Sequence, residues 1–271
     1  MRPPSLPHAP IGIYDSGVGG FSVLADIQRL LPRERLLYVA DTAHVPYGEK
    51  TAEYVLARAC RLADFFVSRG AKAIAIPCNT ATAAAVAQLR DRHPGLPIIG
   101  IEPAVKPAAT LTRSGVIGVL ATSGTLASAR FAALMAREAP NARVLMQPCP
   151  EWVTLVERGE LDTPAVQASV DRALTPLLAQ GADVLVLGCT HFPFLQAALR
   201  RRVGPDLAIL ETGAAFARQL QRRLAEQGAL RASGIGRCVL LASGDPAPLR
   251  THARALLGKA FPVGPLPADY C

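Results

Sequence analysis

The chain has 271 residues, half of them hydrophobic, which suits one large or two medium α/β domains and excludes a disordered protein. No apolar run reaches the roughly 18–20 residues that cross a bilayer, and the Pro-rich start lacks a signal-like apolar segment, so we expect a cytoplasmic protein without a membrane partner. The net charge of +8 comes mainly from scattered arginines without interleaved aromatics, which argues against a nucleic-acid partner.

Short apolar runs alternate with helical periodicity along the whole chain. The clearest predicted helix, Thr51–Arg69, carries an apolar face from Val55 to Val67, and Gly70 ends the pattern. Strands that alternate with helices predict an α/β fold with mostly parallel sheets covered on both faces. The predicted strands are Ile11–Tyr14, Leu36–Ala40, Ala73–Pro77, Ile98–Ile101, Val116–Leu120, Val144–Met146, Val184–Leu187, Leu207–Leu210 and Cys238–Ala242.

The chain also repeats itself in outline. The segment Ile11–Gly17 resembles Ile117–Gly124, and Ala73–Thr80 resembles Val184–His191, in the same order. We therefore expect two pseudo-symmetric three-layer lobes, one formed by residues 1–100 with 210–271 and one by residues 101–209. Because ligands of such folds gather beyond the carboxyl ends of strands, the active site is expected in the cleft between the lobes.

Two cysteines occupy matched positions in this repeat. Cys78 and Cys189 each follow an apolar strand and precede a predicted helix, Asn79–Arg92 in one case and Phe194–Arg202 in the other. A helix N-terminus should lower a thiol pKa toward neutrality. Two such thiols suit the inversion of an α-carbon, because that reaction needs a base on one face and an acid on the other.

Polar neighbours accompany the two thiols. Asp15, at the first strand end, is a candidate to orient or deprotonate Cys78, and His191 is the candidate partner of Cys189, although both have structural interpretations as a cap and a fixed loop residue. The loop Gly17–Gly20 fails the dinucleotide pattern G-x-G-x-x-G. We expect its backbone N–H groups to approach a substrate carboxylate.

No cofactor is expected from the sequence. A pyridoxal phosphate enzyme needs a Schiff-base lysine, and among the four lysines only Lys106 comes near a strand end. The five histidines show no metal-binding spacing, and the six cysteines match no zinc or disulfide framework.

Four blocks in order resemble the glutamate racemases of the aspartate/glutamate racemase superfamily, and the resemblance runs from Ile11 to about Leu257. It implies two α/β lobes, no cofactor or metal, glutamate as the small-molecule substrate, and supply of this D-amino acid for peptidoglycan and cell-wall biogenesis, and hence cell shape. One departure is Glu211–Gly213, where an Asp-Ser-Gly-like sequence is expected. The blocks are Asp15-Ser-Gly-Val-Gly-Gly20, Ala40-Asp-Thr-Ala-His-Val-Pro-Tyr-Gly48, Pro77-Cys-Asn-Thr-Ala-Thr82 and Leu187-Gly-Cys-Thr-His-Phe-Pro193.

The resemblance also implies roles for individual residues. Cys78 and Cys189 match the two catalytic thiols, the first acting on D-glutamate and the second on L-glutamate. Asp15 matches the carboxylate that assists the first thiol, and Glu157 and His191 match the helpers of the second. The residues that match substrate-binding segments are Asp15, Ser16, Pro46, Tyr47, Gly48, Asn79, Thr80, Thr122, Ser123, Thr125, Thr190 and His191.

Several alternatives stay open at this stage. An aspartate or hydantoin racemase of the same superfamily differs in the substrate cleft, although the Pro46–Gly48 block favours glutamate. A non-catalytic, two-lobed amino-acid-binding protein would need no thiols at the strand ends, and a redox protein would have to join Cys78 to Cys189 across the cleft. The sequence does not decide between a monomer and a homodimer, or whether a peptidoglycan precursor activates the protein.

Overall fold

A computed structural model describes residues 6–271, so the first half of the Pro-rich start lies outside the described residues. All nine predicted strands are present with small shifts at their ends, and one further short strand follows near the end of the chain. The strands are β1 (Ile11–Asp15), β2 (Arg35–Ala40), β3 (Ala73–Ile76), β4 (Ile98–Gly100), β5 (Val116–Ala121), β6 (Arg143–Pro148), β7 (Val184–Leu187), β8 (Ala208–Leu210), β9 (Arg237–Ala242) and β10 (Val263–Pro265).

At least one helix connects each pair of successive strands, as the alternating pattern predicts. Among residues 6–271, none of them combines the length and the apolar character that crossing a membrane requires. They are α1 (Phe21–Leu30), α2 (Ala52–Ser68), α3 (Asn79–Arg92), α4 (Val105–Leu111), α5 (Ser123–Leu126), α6 (Ala129–Glu138), α7 (Pro150–Glu157), α8 (Pro164–Ala179), α9 (Gln196–Val203), α10 (Gly213–Glu226) and α11 (Pro246–Leu257).

Helix α2 shows how local sequence sets its own limits. The Thr51 side chain caps its N-terminus by accepting a hydrogen bond from the Tyr54 N–H, and Gly70 follows its end with a φ of 65°, a conformation that glycine adopts without strain. The predicted helix is therefore confirmed. One detail of the prediction is wrong, because Val67 does not belong to the buried face and is 44% exposed.

The strands form two parallel sheets with the same internal order. The first has six strands in the order β10-β9-β2-β1-β3-β4, and the second has four in the order β6-β5-β7-β8. In each sheet the first strand of the repeat lies between the second and the third, with the fourth beyond it. The two-lobed α/β fold is confirmed, and the internal repeat of the sequence corresponds to this common topology.

The two sheets divide the chain in an interrupted way. The first lobe takes its strands from both ends of the chain, β1–β4 and β9–β10, whereas β5–β8 form the second sheet. Glu211 and Thr212 link β8 to α10, which packs against α1 of the first lobe. The exact lobe boundaries, 1–100 with 210–271 and 101–209, stay a prediction.

The central strands bring the candidate residues together. Strands β1 and β3 are paired in one sheet, and β5 and β7 are paired in the other. Every residue of β1, β3 and β7 is buried, because helices cover both faces of the sheets. The polar residues that follow these strands lie at the carboxyl edges of the two sheets, where ligands of such folds bind.

Candidate active site

Cys78 lies at the N-terminus of α3, as the sequence predicts. It is the N-cap residue, and its Sγ accepts a hydrogen bond from the Ala81 N–H at 3.4 Å. The Ser16 Oγ lies 4.0 Å from the same sulfur. Residues that follow strands β1 and β3 thus meet at this thiol, and Cys78 is only 5% exposed.

The pKa of this thiol is shifted in the direction opposite to the expected one. Burial raises the pKa of Cys78, and the negative charge of Asp15 raises it further. The Ala81 N–H favours the thiolate but does not compensate, because a buried anion loses more solvation than one hydrogen bond returns. A raised pKa favours the neutral form of the Cys78 thiol, which suits a proton donor.

Cys189 has a different setting at the matched strand end. It follows β7, and its Sγ lies 3.7 Å from the Nδ1 of His191. The segment after it forms a 3-10 helix, Phe192–Leu195, before α9 begins at Gln196. The predicted helix Phe194–Arg202 is therefore partly wrong, and His191, rather than a helix N-terminus, is the polar neighbour of this thiol.

His191 is held between the thiol and a carboxylate. Its Nε2 lies 2.7 Å from the Oε1 of Glu157, which is the last residue of α7. Burial alone would lower the pKa of His191, but its hydrogen bonds to Cys189 and Glu157 raise the pKa well above the usual value. The pKa of Glu157 is lowered, because the contact with His191 outweighs burial. A protonated His191 therefore places a positive charge 3.7 Å from the Cys189 sulfur.

Asp15 connects the two halves of the site. It is fully buried, and its two oxygens accept hydrogen bonds from the Gly17 N–H at 3.0 Å and from the Thr190 hydroxyl at 2.9 Å. Burial raises the pKa of Asp15, while the charge of His191 and these bonds oppose that shift. The carboxylate thus contacts the segment that carries Cys189, although its charge also acts on Cys78.

The glycine loop has a different partner from the one expected. The Val18 N–H donates a hydrogen bond to the Glu157 Oε1 at 2.8 Å. The carboxylate that this part of the loop binds therefore belongs to the protein and not to a substrate. Ser22, in the first turn of α1, adds a hydrogen bond from its hydroxyl to the Thr190 carbonyl at 2.9 Å.

Three buried threonine hydroxyls join the lobes at the other side of the site. The Thr80 Oγ1 lies 2.9 Å from the Thr122 Oγ1 and 3.3 Å from the Thr125 Oγ1. Ser123 is exposed at the start of α5 and lies outside this cluster. The Asn79 Oδ1 is buried without a hydrogen-bond partner among the described residues, which makes it available to a ligand.

A buried ion pair between Asp41 and Arg58 holds the segment Pro46–Gly48 through Tyr47. The Tyr47 hydroxyl donates to Asp41, and the Arg58 guanidinium contacts both Asp41 oxygens, at 2.9 and 2.7 Å. Gly48 lies against the second lobe, where a Cβ at this position would come within 2.7 Å of the Thr122 Cβ. Tyr47 therefore positions the segment through its hydroxyl.

Sequence periodicity missed two groups that the structure places here. Glu157 ends α7, where a carboxylate faces the negative end of the helix dipole, so its position signals a need for a specific partner. Arg58 falls on the apolar face of α2 between Val55 and Ala59, which signals a buried ion pair. The other predicted residues, apart from Ser123, lie together at the carboxyl edges of the two sheets.

Comparisons of sequence and of structure with known proteins all match this chain to racemases. The sequence model of the Asp/Glu/Hydantoin racemase family matches residues 18–220. A glutamate racemase of Pseudomonas putida is 56% identical over 255 residues, which cover 94% of this chain and 96% of that protein. A solved glutamate racemase isoform of Bacillus anthracis superposes with a TM-score of 0.88 at 31% identity, covering 97% of this chain and 99% of that chain. The Escherichia coli glutamate racemase, solved with L-glutamate and the activator UDP-MurNAc-Ala, gives a TM-score of 0.84 at 31% identity over 95% of this chain and 97% of that chain.

Proposed function

The chain belongs to the Asp/Glu/Hydantoin racemase family, and we propose that it interconverts L-glutamate and D-glutamate by proton transfer at Cα between two thiols. The observation that carries the proposal is the pair Cys78 and Cys189, which follow corresponding strands of two like sheets. The two thiols are close enough for the charge of Cys189 to raise the pKa of Cys78. Relatives with more than half of their residues identical are glutamate racemases, which supports glutamate as the substrate.

The different settings of the two thiols support a separate role for each. Toward D-glutamate, a Cys189 thiolate takes the Cα proton of L-glutamate, and the neutral Cys78 thiol delivers its proton to the opposite face. One C–H bond breaks and one forms, so the two sulfurs exchange protonation states. The reverse reaction starts from that exchanged state, with Cys78 as the base for D-glutamate.

The surrounding residues have proposed roles in this scheme. His191, kept protonated by Glu157, stabilises the Cys189 thiolate before the proton is taken. Asp15 and Thr190 orient the segment that carries Cys189. Polar groups of both lobes then bind the substrate's own amino and carboxylate groups, and these groups are Ser16, Asn79, Thr80, Thr122 and Thr125 with the backbone of Pro46, Tyr47 and Gly48.

A substrate comparison tests the proposal. The purified protein is incubated without added cofactor with L-glutamate, L-aspartate or a 5-substituted hydantoin, and loss of circular dichroism is followed. We expect loss with L-glutamate. A Cys60→Ser variant is the control and should react at the same rate, because this partly buried thiol lies on α2 and not at a strand end. Faster loss with aspartate or the hydantoin would replace the proposal by a racemase for that substrate, and binding without loss would indicate a non-catalytic binding protein.

Two further expectations accompany this function. The Escherichia coli relative is solved with an activator, UDP-MurNAc-Ala, and we propose that a peptidoglycan precursor of this kind regulates the present protein as well. Adding this compound to the racemisation assay measures its effect. A homodimer and a cytoplasmic location stay predictions, which sedimentation of the purified protein and cell fractionation measure.

A further inference from the structure

The glycine loop after β1 and the first turn of α1 together contact the second lobe at four residues. Its Val18 N–H donates to Glu157 at 2.8 Å, and the Ser22 hydroxyl donates to the Thr190 carbonyl at 2.9 Å. Gly17 packs against the Glu157 carboxylate, and Gly19 packs against the His191 ring. The loop therefore encloses the two side chains that lie behind Cys189.

Gly17 and Gly19 are explained by the lack of room for a Cβ and not by their backbone conformation. Neither Gly17 nor Gly19 has a positive φ, so other residues could adopt their backbone conformation. A Cβ at Gly17 would overlap the Glu157 carboxylate, and a Cβ at Gly19 would overlap the His191 ring at Nδ1, the atom that faces the Cys189 sulfur. A single added methyl group would thus displace the imidazole from the thiol.

We propose that the loop Gly17–Gly19 is a positioning element that seats the Glu157–His191 pair of the opposite lobe against Cys189. The proposal rests on the proposed racemase function, in which Cys189 is one of two bases. This role makes the surroundings of Cys78 and of Cys189, here called the two half-sites, unequal. The hydrogen-bond partners of the Cys78 sulfur, the Ser16 hydroxyl and the Ala81 N–H, belong to the same lobe as Cys78. The Glu157–His191 pair beside Cys189, in contrast, contacts a loop from the other lobe.

The unequal half-sites give a test that separates positioning from general damage. Each base is assayed alone by elimination from one enantiomer of threo-3-chloroglutamate: the thiolate takes the Cα proton, chloride leaves Cβ, and the enamine hydrolyses to 2-oxoglutarate and ammonia. The enantiomer that depends on Cys189 is defined as the one whose elimination is lost in Cys189→Ser. In Gly19→Ala we expect elimination from that enantiomer to fall about 100-fold, as for a misplacement of about 1 Å, with the other enantiomer changed by less than about threefold.

A matched glycine and a double variant complete the experiment. Gly118→Ala adds the same methyl group in the core of the second lobe, 2.8 Å from the Leu185 Cδ2, and we expect it to affect both enantiomers equally. In a His191→Ala background the Gly19→Ala change has no ring to displace. The double variant should therefore fold and react like His191→Ala alone, even if Gly19→Ala by itself does not fold.

Two kinds of failure are distinguishable. If the Cys189→Ser change does not reduce elimination from one enantiomer more than from the other, the two-thiol function itself is wrong. If Cys189→Ser behaves as expected but Gly19→Ala affects both enantiomers equally, or if the double variant is unfolded or much slower than His191→Ala, the positioning role of the loop is overturned.

Discussion

Asp15, the last residue of β1, accepts a hydrogen bond from the Thr190 hydroxyl of the opposite lobe at 2.9 Å. Thr190 lies between Cys189 and His191, so this bond fixes the second half-site from the first lobe. The same carboxylate raises the pKa of Cys78 through its charge. One buried carboxylate therefore acts on both sides of the site, on the Cys189 segment through its contact with Thr190 and on Cys78 through its charge.

The charge of Asp15 can be removed without removing its contacts. In Asp15→Asn the amide oxygen can accept from the Gly17 N–H, and the amide nitrogen can donate to the Thr190 hydroxyl. Because a negative neighbour disfavours a thiolate, we expect the pKa of Cys78 to fall in this variant. Alkylation of Cys78 by iodoacetamide, followed by peptide mass spectrometry across pH, should show a midpoint at lower pH.

A surface aspartate provides the control for that experiment. Asp64→Asn removes a half-exposed carboxylate from α2 and should leave the Cys78 midpoint unchanged. A midpoint that moves to higher pH in Asp15→Asn would contradict this account and would support direct assistance of the thiol by the carboxylate.

Replacing each of the two thiols should abolish elimination from a different enantiomer. Replacing Cys78 or Cys189 by Ser puts a much weaker acid at that position, so racemisation should fall at least about 100-fold in both directions. Each variant should retain elimination from one enantiomer of threo-3-chloroglutamate, and family resemblance assigns the D enantiomer to Cys78 and the L enantiomer to Cys189. Loss of the same enantiomer in both variants would exclude two separate bases.

The Glu157–His191 pair should give a pH-dependent contribution to stability. The pKa of His191 is raised by folding, so its contribution is complete below the usual histidine pKa of about 6.5 and is lost as pH rises through the raised value. The pKa of Glu157 is lowered, so its contribution is present above about 4.3 and is lost as pH falls through the lowered value. The difference in melting temperature between the unmodified protein and His191→Asn should therefore be largest between about pH 5 and 6.5.

An exposed histidine is the reference for this comparison. His8→Asn should show no such profile, because His8 is exposed at the start of the described chain. A difference for His191→Asn that grows from pH 6 to pH 10 would have the wrong sign for a histidine whose pKa is raised by folding.

The buried ion pair between Arg58 and Asp41 should contribute strongly to the free energy of unfolding. Arg58→Met leaves the Asp41 carboxylate buried without its cation, and such a loss costs about 3–5 kcal/mol. Arg61→Met, on the same helix but at an exposed contact with the Cys271 carbonyl, should cost less than about 0.5 kcal/mol. Urea unfolding of both variants measures the difference, and equal losses would show that Asp41 does not need Arg58.

Local pattern predicted those features that depend on neighbouring residues. The limits of α2 follow from the Thr51 cap and Gly70, and the position of Cys78 at a helix N-terminus follows from an apolar strand before it and helical residues after it. The internal repeat predicted two similar lobes, because similar sequences in the same order favour similar strand pairing, and the two sheets share their internal strand order.

Features that depend on contacts between distant residues were outside the reach of the pattern. Glu157 contacts Val18 across 139 positions of sequence and His191 across 34, so no local rule places it in the site. The pKa of Cys78 was expected in the wrong direction for the same reason. The helix N-terminus is local, but the burial and the charge of Asp15 that dominate the pKa result from folding.

Deuterium transfer tests the two-base claim most directly. The purified protein is incubated with L-glutamate in deuterated water without added cofactor, the reaction is stopped at low conversion, and Cα deuterium is measured in each enantiomer. The account predicts that the D-glutamate formed carries solvent deuterium while the remaining L-glutamate carries none, because the base that takes the proton is not the acid that replaces it. Equal deuterium in the recovered L-glutamate, or D-glutamate formed without deuterium, would contradict proton transfer between two separate thiols.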